Sequence, residues 1–290
     1  MKISVIIPAK NEENYLPVLL EEVYKQANHE PSIEAIVAVA PSTDKTEKIA
    51  RKFRAKIVRG GLPGIGRNAG AKIAGGEIFF FLDADVVVSE NFFKNAVSEF
   101  QEKNLDIATA ELKTDSKNIF DRIFYRTNYD AIRISGAIGI PYAPGACMII
   151  RKDAFRKSGG FDETLTYSED AELTRRIAAS GGKFGVINSC SAIASNRRFV
   201  AEGRAKTAGR FFGMVWKSIF RIKVREKGYY FKNEIWNFEN WQSKWGEYVA
   251  QMKKAGTESK KKISRIASHI TGRKNREKRE NGNLRRKHRK

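Results

Sequence analysis

The segment IFFFLDADVVV, residues 78–88, constrains this chain more than any other stretch. Five apolar residues precede Asp83 without a break. That run is too short and too uniform for a surface helix and suits a strand covered on both faces of a sheet. Such a strand needs helices on each side, so an α/β domain is expected. In open sheets of this kind ligands bind at the carboxyl ends of the strands, where Asp83 and Asp85 stand. A spacing of two along an extended chain puts both on one side, within reach of one hard cation or a metal-bound phosphate. The competing account is that the pair caps the next helix or ends the strand as a polar turn.

The flanking sequence fits that plan. Residues 3–7 read as a strand closed by Pro8, and a helix follows through Gln26 with Leu16, Leu19, Leu20 and Val23 at helical spacing and Asn11 or Asn14 as its cap. Residues 35–40, 45–53 and 56–58 read as strand, helix and strand. This alternation predicts a doubly wound, mostly parallel sheet. Residues 60–70, GGLPGIGRNAG, read as a glycine-rich loop opening a helix at Asn68. Glycines admit close approach of a ligand to the backbone, and Arg67 at a helix start suits a phosphate. A dinucleotide fingerprint is the rival reading, but that motif belongs after the first strand, whereas this loop follows the third.

Further strands are expected over 107–112 and up to Ile150, and helices over 91–101, 118–135 and 152–157. The sequence YSEDAELTRR, residues 167–176, brings a second acidic cluster. Ser168 reads as an N-cap with Glu169, Asp170 and Glu172 in the first turn, a placement the helix dipole favours by itself.

Three segments taken together resemble the inverting family 2 of the GT-A glycosyltransferases. They are SVIIPAKNEE from Ser4, GIGRNAG from Gly64 leading to FLDAD, and GGFDE from Gly159 followed by Glu169-Asp170-Ala171-Glu172-Leu173. The resemblance implies a GT-A fold, a UDP- or GDP-linked sugar donor, a saccharide or lipid-linked acceptor, and Mg²⁺ or Mn²⁺ held by Asp85 and Asp83. It implies donor contacts from Pro8, Ala9, Asn11, Glu12, Asp44, Gly66, Arg67, Asn68, Asp83, Ala84 and Asp85, with Arg67 on the diphosphate. Asp170 matches the family's general base and Glu169 is the runner-up. Arg197 or Arg198, in Asn196-Arg197-Arg198-Phe199, resembles a basic segment that closes over the diphosphate; a solvated basic turn is the alternative.

The chain also departs from the family pattern. Val39-Ala40 stand where the family often carries an Asp-Asp pair for the nucleobase, and no histidine follows Asp170 until His269. The Q-x-x-R-W motif of processive members is missing, which favours transfer of a single sugar.

Charge divides the chain. Residues 251–290 hold 16 Lys/Arg against 3 Glu, a net +13 of the total +21. The expected organisation is a catalytic domain over 1–205, a helical, aromatic-rich extension over 206–250 and a polybasic tail over 251–290. In the extension, Phe212, Val215, Trp216, Ile219 and Phe220 form a helical apolar stripe opposite Arg210, Lys217, Arg221 and Arg225, suited to packing on the core or to a membrane interface. The tail suits anionic lipid, or nucleic acid through counterion release. Cys147 and Cys190 lie in no metal or disulfide spacing, and no stretch approaches the length of a membrane span. A cytoplasmic protein with peripheral contact at the inner membrane face is expected, with no specific nucleic-acid partner. Two other classes remain beside the enzyme reading: a nucleic-acid-binding protein on a lapsed enzyme domain, and a sugar-phosphate nucleotidyltransferase.

Overall fold

The computed structural model describes residues 1–27, 32–204 and 206–209, with the Arg198 side chain outside that set. The expected extension beyond residue 209, and the tail, lie outside the described residues.

Four parallel strands build the first half of the sheet: β1 (Ile3–Ala9), β2 (Ile33–Val39), β3 (Lys56–Arg59) and β4 (Ile78–Leu82). Their connections are α1 (Leu16–Ala27), α2 (Thr46–Lys52) and α3 (Pro63–Ile73). Beyond them come β5 (Val86–Val88), α4 (Phe92–Glu102), β6 (Ile107–Thr114), α5 (Ile119–Ala137) and β7 (Cys147–Arg151). The described chain ends with α6 (Lys152–Lys157), α7 (Glu169–Ala179), β8 (Phe184–Ala194) and α8 (Arg197–Glu202). The sheet order is β3-β2-β1-β4-β7-β6-β8-β5. Strand β7 runs antiparallel to both β4 and β6, and β5 antiparallel to β8, so the sheet is mixed, with six of its eight strands running the same way, mostly parallel as expected.

Alternation along the strands divides the core. Val5, Ile7, Phe80 and Leu82 face α1 and α4. Ile6, Phe79 and Phe81 face α3, α6 and α7. Every residue of β4 is buried, as its unbroken apolar run requires.

Only residues 60–62 of the glycine-rich segment are loop. Helix α3 begins at Pro63, five residues before the expected start, and takes in Gly64 and Gly66. Proline at the first helical positions has the right φ and needs no N–H partner there. The glycines serve packing: a Cβ on Gly70 would lie 2.5 Å from Ile6 Cγ2, and one on Gly66 would lie 3.4 Å from Ala38 Cβ.

One connection is unusually short. Only Asp83-Ala84-Asp85 separate β4, in mid-sheet, from β5, at the far edge. The four steps from Leu82 to Val86 span at most about 14 Å, whereas four strand spacings of a flat sheet are about 19 Å. The long strands β6 and β8 close the gap. Their register shifts between Ala110 and Glu111, and their second halves carry β5 back to the end of β4.

Candidate functional site

The site gathers at the carboxyl ends of β1 and β4, the end of β8 and the start of α7. Asp83-Ala84-Asp85 is a turn, closed by Val86 N donating to Asp83 O at 3.1 Å, rather than extended chain. The two carboxylates therefore take different partners. Asp83 Oδ1 accepts from Arg67 at 2.8 Å, and Asp85 Oδ2 pairs with Arg197 Nε at 2.9 Å.

Arg67 is 3% exposed. Its Nη1 donates to Glu169 Oε1 at 2.6 Å and its Nη2 to the Gly145 carbonyl at 3.2 Å, while the guanidinium carbon lies 5.5 Å from the Phe161 ring centroid. Only its Nε lacks a partner among the described residues. Helix α3 thus turns Arg67 inward, beneath the acidic turn, where it ties Asp83 to the start of α7.

Arg197, at the first turn of α8, holds the other side. Its terminal nitrogens donate to both oxygens of Glu12 at 2.6 and 2.8 Å, and its guanidinium lies 4.9 Å from the Tyr15 ring centroid. Asn11 at φ 53° and Asp44 shape the same loop. Asn11 Oδ1 accepts from Thr43 N, and Asp44 accepts from the backbone of Glu13 and Thr46. Pro8, Ala9 and Ala84 contribute backbone beside it, and Ala9 and Ala84 are buried.

Asn68 is also spent on structure. It donates to the Phe161 carbonyl and to Glu163, and accepts from Phe161 N, each at 2.9 Å. The expected donor residues therefore form two layers: Glu12, Asp83, Asp85 and Arg197 around the acidic turn, with Gly66, Arg67 and Asn68 behind it.

Helix α7 starts beside the turn. Ser168 occupies the N-cap in left-handed backbone, φ 57°, yet its hydroxyl makes no capping bond. A non-glycine residue there is strained, and such strain gathers at functional sites. Asp170 is locked instead, accepting from Gly145 N through Oδ2 and from its neighbour Ala171 N through Oδ1, both at 2.7 Å.

Burial governs protonation. It raises Glu12 to about 7 against the pull of Arg197. Burial and the neighbouring Asp170 raise Glu169 to about 7, with Arg67 opposing. Burial likewise raises Asp170, against Arg67 and the amides of Gly145 and Ala171.

Among the described residues no group of three or more ligating side chains could hold a metal. Each arginine takes one oxygen of its aspartate, so a second oxygen remains on Asp83 and on Asp85. Two carboxylate oxygens suit a hard divalent ion whose remaining positions go to water and phosphate. The residues therefore fit such an ion as part of a phosphate complex rather than in a protein cage.

Two residues of the site have no signal in local sequence. Tyr142 lies beside Asp170 and Glu169, its hydroxyl held well above the ordinary range by burial and by those carboxylates. Asp115 comes near Asp85 and keeps Oδ1 without a partner among the described residues.

This arrangement, a nucleotide-sugar-type α/β sheet with an acidic turn opposite a second carboxylate pair, defines a GT-A glycosyltransferase fold. The Glycosyl transferase family 2 model matches residues 4–159, and the chain belongs to that family. Poly(ribitol-phosphate) beta-N-acetylglucosaminyltransferase TarS of Staphylococcus aureus is 27% identical over 199 residues, 65% of this chain and 34% of TarS. Minor teichoic acid biosynthesis protein GgaB of Bacillus subtilis is 32% identical over 203 residues, 63% of this chain and 22% of GgaB. The matches thus span about a third or less of those relatives. Among solved structures, TarS 1-349 in complex with UDP-GlcNAc superposes with a TM-score of 0.57 at 24% identity, over 67% of this chain and 58% of that one. Mannosyltransferase PcManGT of Pyrobaculum calidifontis, with GDP-Man and Mn²⁺, gives 0.56 at 20%, over 66% and 56%.

Proposed function

We propose that this chain is an inverting glycosyltransferase that moves one sugar from a nucleotide-sugar donor to a hydroxyl of a saccharide or lipid-linked acceptor. The observation that carries the reading is Asp170, fixed by two backbone amides and raised in pKa, on a helix that Arg67 ties to Asp83.

On this reading Asp170 accepts the proton of the acceptor hydroxyl. The acceptor oxygen bonds to the anomeric carbon as the bond to the diphosphate breaks, and the nucleoside diphosphate leaves. A raised pKa brings the base nearer the basicity that proton abstraction at neutral pH needs. Arg67 is a positioning residue that sets the spacing of the two acidic elements. Arg197 exchanges its contact with Asp85 for a phosphate oxygen when donor binds. Mg²⁺ or Mn²⁺, held by Asp83 and Asp85, would supply positive charge to the departing diphosphate.

TarS, crystallised with UDP-GlcNAc, makes that sugar nucleotide the first donor to try. Residues 1–205 are the proposed catalytic unit, with 206–250 and the basic tail 251–290 as appendages that hold the enzyme at the inner membrane face. No described helix is long and apolar enough to cross a membrane. The nucleic-acid and nucleotidyltransferase readings draw on the tail and the α/β plan alone. The test is nucleotide release from a panel of UDP- and GDP-sugars with Mn²⁺. Release by wild type and not by Asp170→Asn or Asp85→Ala supports the reading; equal inactivity of all three across the panel overturns it.

A further inference from the structure

Six of the nine large apolar side chains exposed among the described residues lie between 119 and 140: Ile119, Phe120, Ile123, Ile134, Ile138 and Ile140. Four of them share one face of α5. At 100° per residue, Ile119, Phe120, Ile123 and Ile134 fall within about 100° of arc. The opposite face carries Asp121, Tyr129 and Ile132, all buried. Phe120 is 69% exposed and Ile134 60%. From Ile119 to Ile134 this face is about 22 Å long; Thr127 and the Arg126-paired Asp130 fall within the same arc and separate its apolar start from its apolar end, and no described residue covers it.

The edge of the strip is basic. Arg122, Arg126 and Arg133 line one flank within about 40° of arc. The acids of α5 compensate only one of the three. Asp121 is buried beneath Arg204, and Asp130 is held by Arg126 at 3.1 Å. Arg122 and Arg133 make no ion pair among the described residues. An exposed apolar strip bordered by unneutralised arginines matches the two layers of an anionic bilayer surface, acyl chains within and phosphates at the rim.

We propose that α5 is a membrane-docking surface, lying in the interface of an anionic bilayer with Phe120, Ile123 and Ile134 among the acyl chains and Arg122 and Arg133 at the lipid phosphates. The strip is joined to the site: Phe124 on α5 packs on Phe199 of α8 with ring centroids 5.0 Å apart, and α8 begins at Arg197. Docking through α5 brings the carboxylate site to the lipid side, where a lipid-linked acceptor is met. The proposal rests on the membrane-side part of the function proposed above, and the assay reads the two apart.

The two native thiols are buried, which leaves an introduced cysteine open to selective labelling. Full-length Ile123→Cys is labelled with an environment-sensitive fluorophore and mixed with vesicles of phosphatidylglycerol and phosphatidylcholine. Blue-shifted, intensified emission is expected, part of it surviving high salt, while a label at Lys52→Cys on α2 stays unchanged. Replacing Phe120, Ile123 and Ile134 together by Ser should weaken vesicle affinity by about tenfold or more, with the circular dichroism of the wild type. Co-sedimentation without an emission change at 123 would mean that the basic tail alone binds, which overturns the α5 proposal and leaves membrane recruitment standing. No co-sedimentation at low salt overturns both. A label at 123 already shielded without lipid also overturns the docking: with concentration-dependent mass a second copy covers the strip, and in a monomer another segment of this chain does.

Discussion

Arg67 Nη1 donates to Glu169 Oε1 at 2.6 Å inside the protein, across 102 residues of sequence and one position from Asp170. The same guanidinium holds Asp83, so a single buried cation sets the spacing between the acidic turn and the start of α7. Removing one partner of a buried charge group leaves the others uncompensated, at about 3–5 kcal/mol. Arg67→Ala should lose stability of that order in urea unfolding. A loss under about 1 kcal/mol would show that Asp83 and Glu169 do not depend on it.

Asp170 and Glu169 should separate in their effects. Asp170→Asn removes the base and keeps an acceptor for only one of the two amides of Gly145 and Ala171, so transfer should fall about a hundred- to ten-thousandfold while stability falls by about 1–3 kcal/mol for the one amide left unpaired. Glu169→Gln weakens the pair with Arg67, so its effect should fall on stability first. Steady-state kinetics and thermal unfolding on both variants make the comparison, and equal kinetic losses would argue against Asp170 as sole base.

Arg197 occupies the side of Asp85 that a cation would approach. Arg197→Ala should bind Mn²⁺ severalfold more tightly than wild type in the absence of nucleotide, as read by electron paramagnetic resonance. Unchanged or weaker binding would show that the ion pair does not compete with the metal.

Gly70 tests helix packing against intrinsic propensity. Glycine to alanine within a helix ordinarily gains about 1 kcal/mol. Here the new methyl would lie 2.5 Å from Ile6 Cγ2, on a buried β-branched side chain. Overpacking of this kind costs about 1–3 kcal/mol, so Gly70→Ala should destabilise. A more stable variant would mean that β1 yields freely.

Glu34 should contribute to the acid limb alongside Glu99, which Lys103 and the amides of Asn188 and Ser189 likewise bring down to about 2. Burial alone would raise the pKa of Glu34, but Lys56, the Ser4 hydroxyl and Gly75 N all bond the carboxylate and bring it down to about 2. A depressed carboxylate stabilises the fold above its unfolded pKa and loses that contribution as pH falls toward the folded value. Stability should therefore decline between the ordinary carboxylate range and about pH 2, and Glu34→Gln should flatten that stretch in urea titrations at stepped pH. An unchanged slope would contradict the assignment.

The first strands, the buried β4 and the acidic start of α7 were legible because each rests on local apolar pattern and residue type. The inward turn of Arg67 was not, since its partners come from three distant segments. The glycines of α3 suggested a loop because sequence does not show what packs against them. Strand β8 went unread: Asn188, Ser189 and Ser191 break the alternation of FGVINSCSAIA near the register shift opposite β6. Arg197 was legible as a basic residue near the site, but its grip on Glu12, 185 positions earlier, was not.

The brevity of the β4–β5 connection has a consequence for synthesis. Strand β5 finds its hydrogen-bonding partner only in residues 192–194, and Asp85 meets its arginine only at 197. A nascent chain can pair β1, β2, β3 and β4 with one another as they emerge from the ribosome, and only the second edge of β4 waits for β7. The acidic turn must wait through about a hundred further residues, which at typical elongation rates is about 5–20 seconds. The Asp85 side of the acidic turn is thus among the last parts of the described domain to be assembled, and a chain stalled before β8 would hold Asp83 within reach of Arg67 but Asp85 without its arginine.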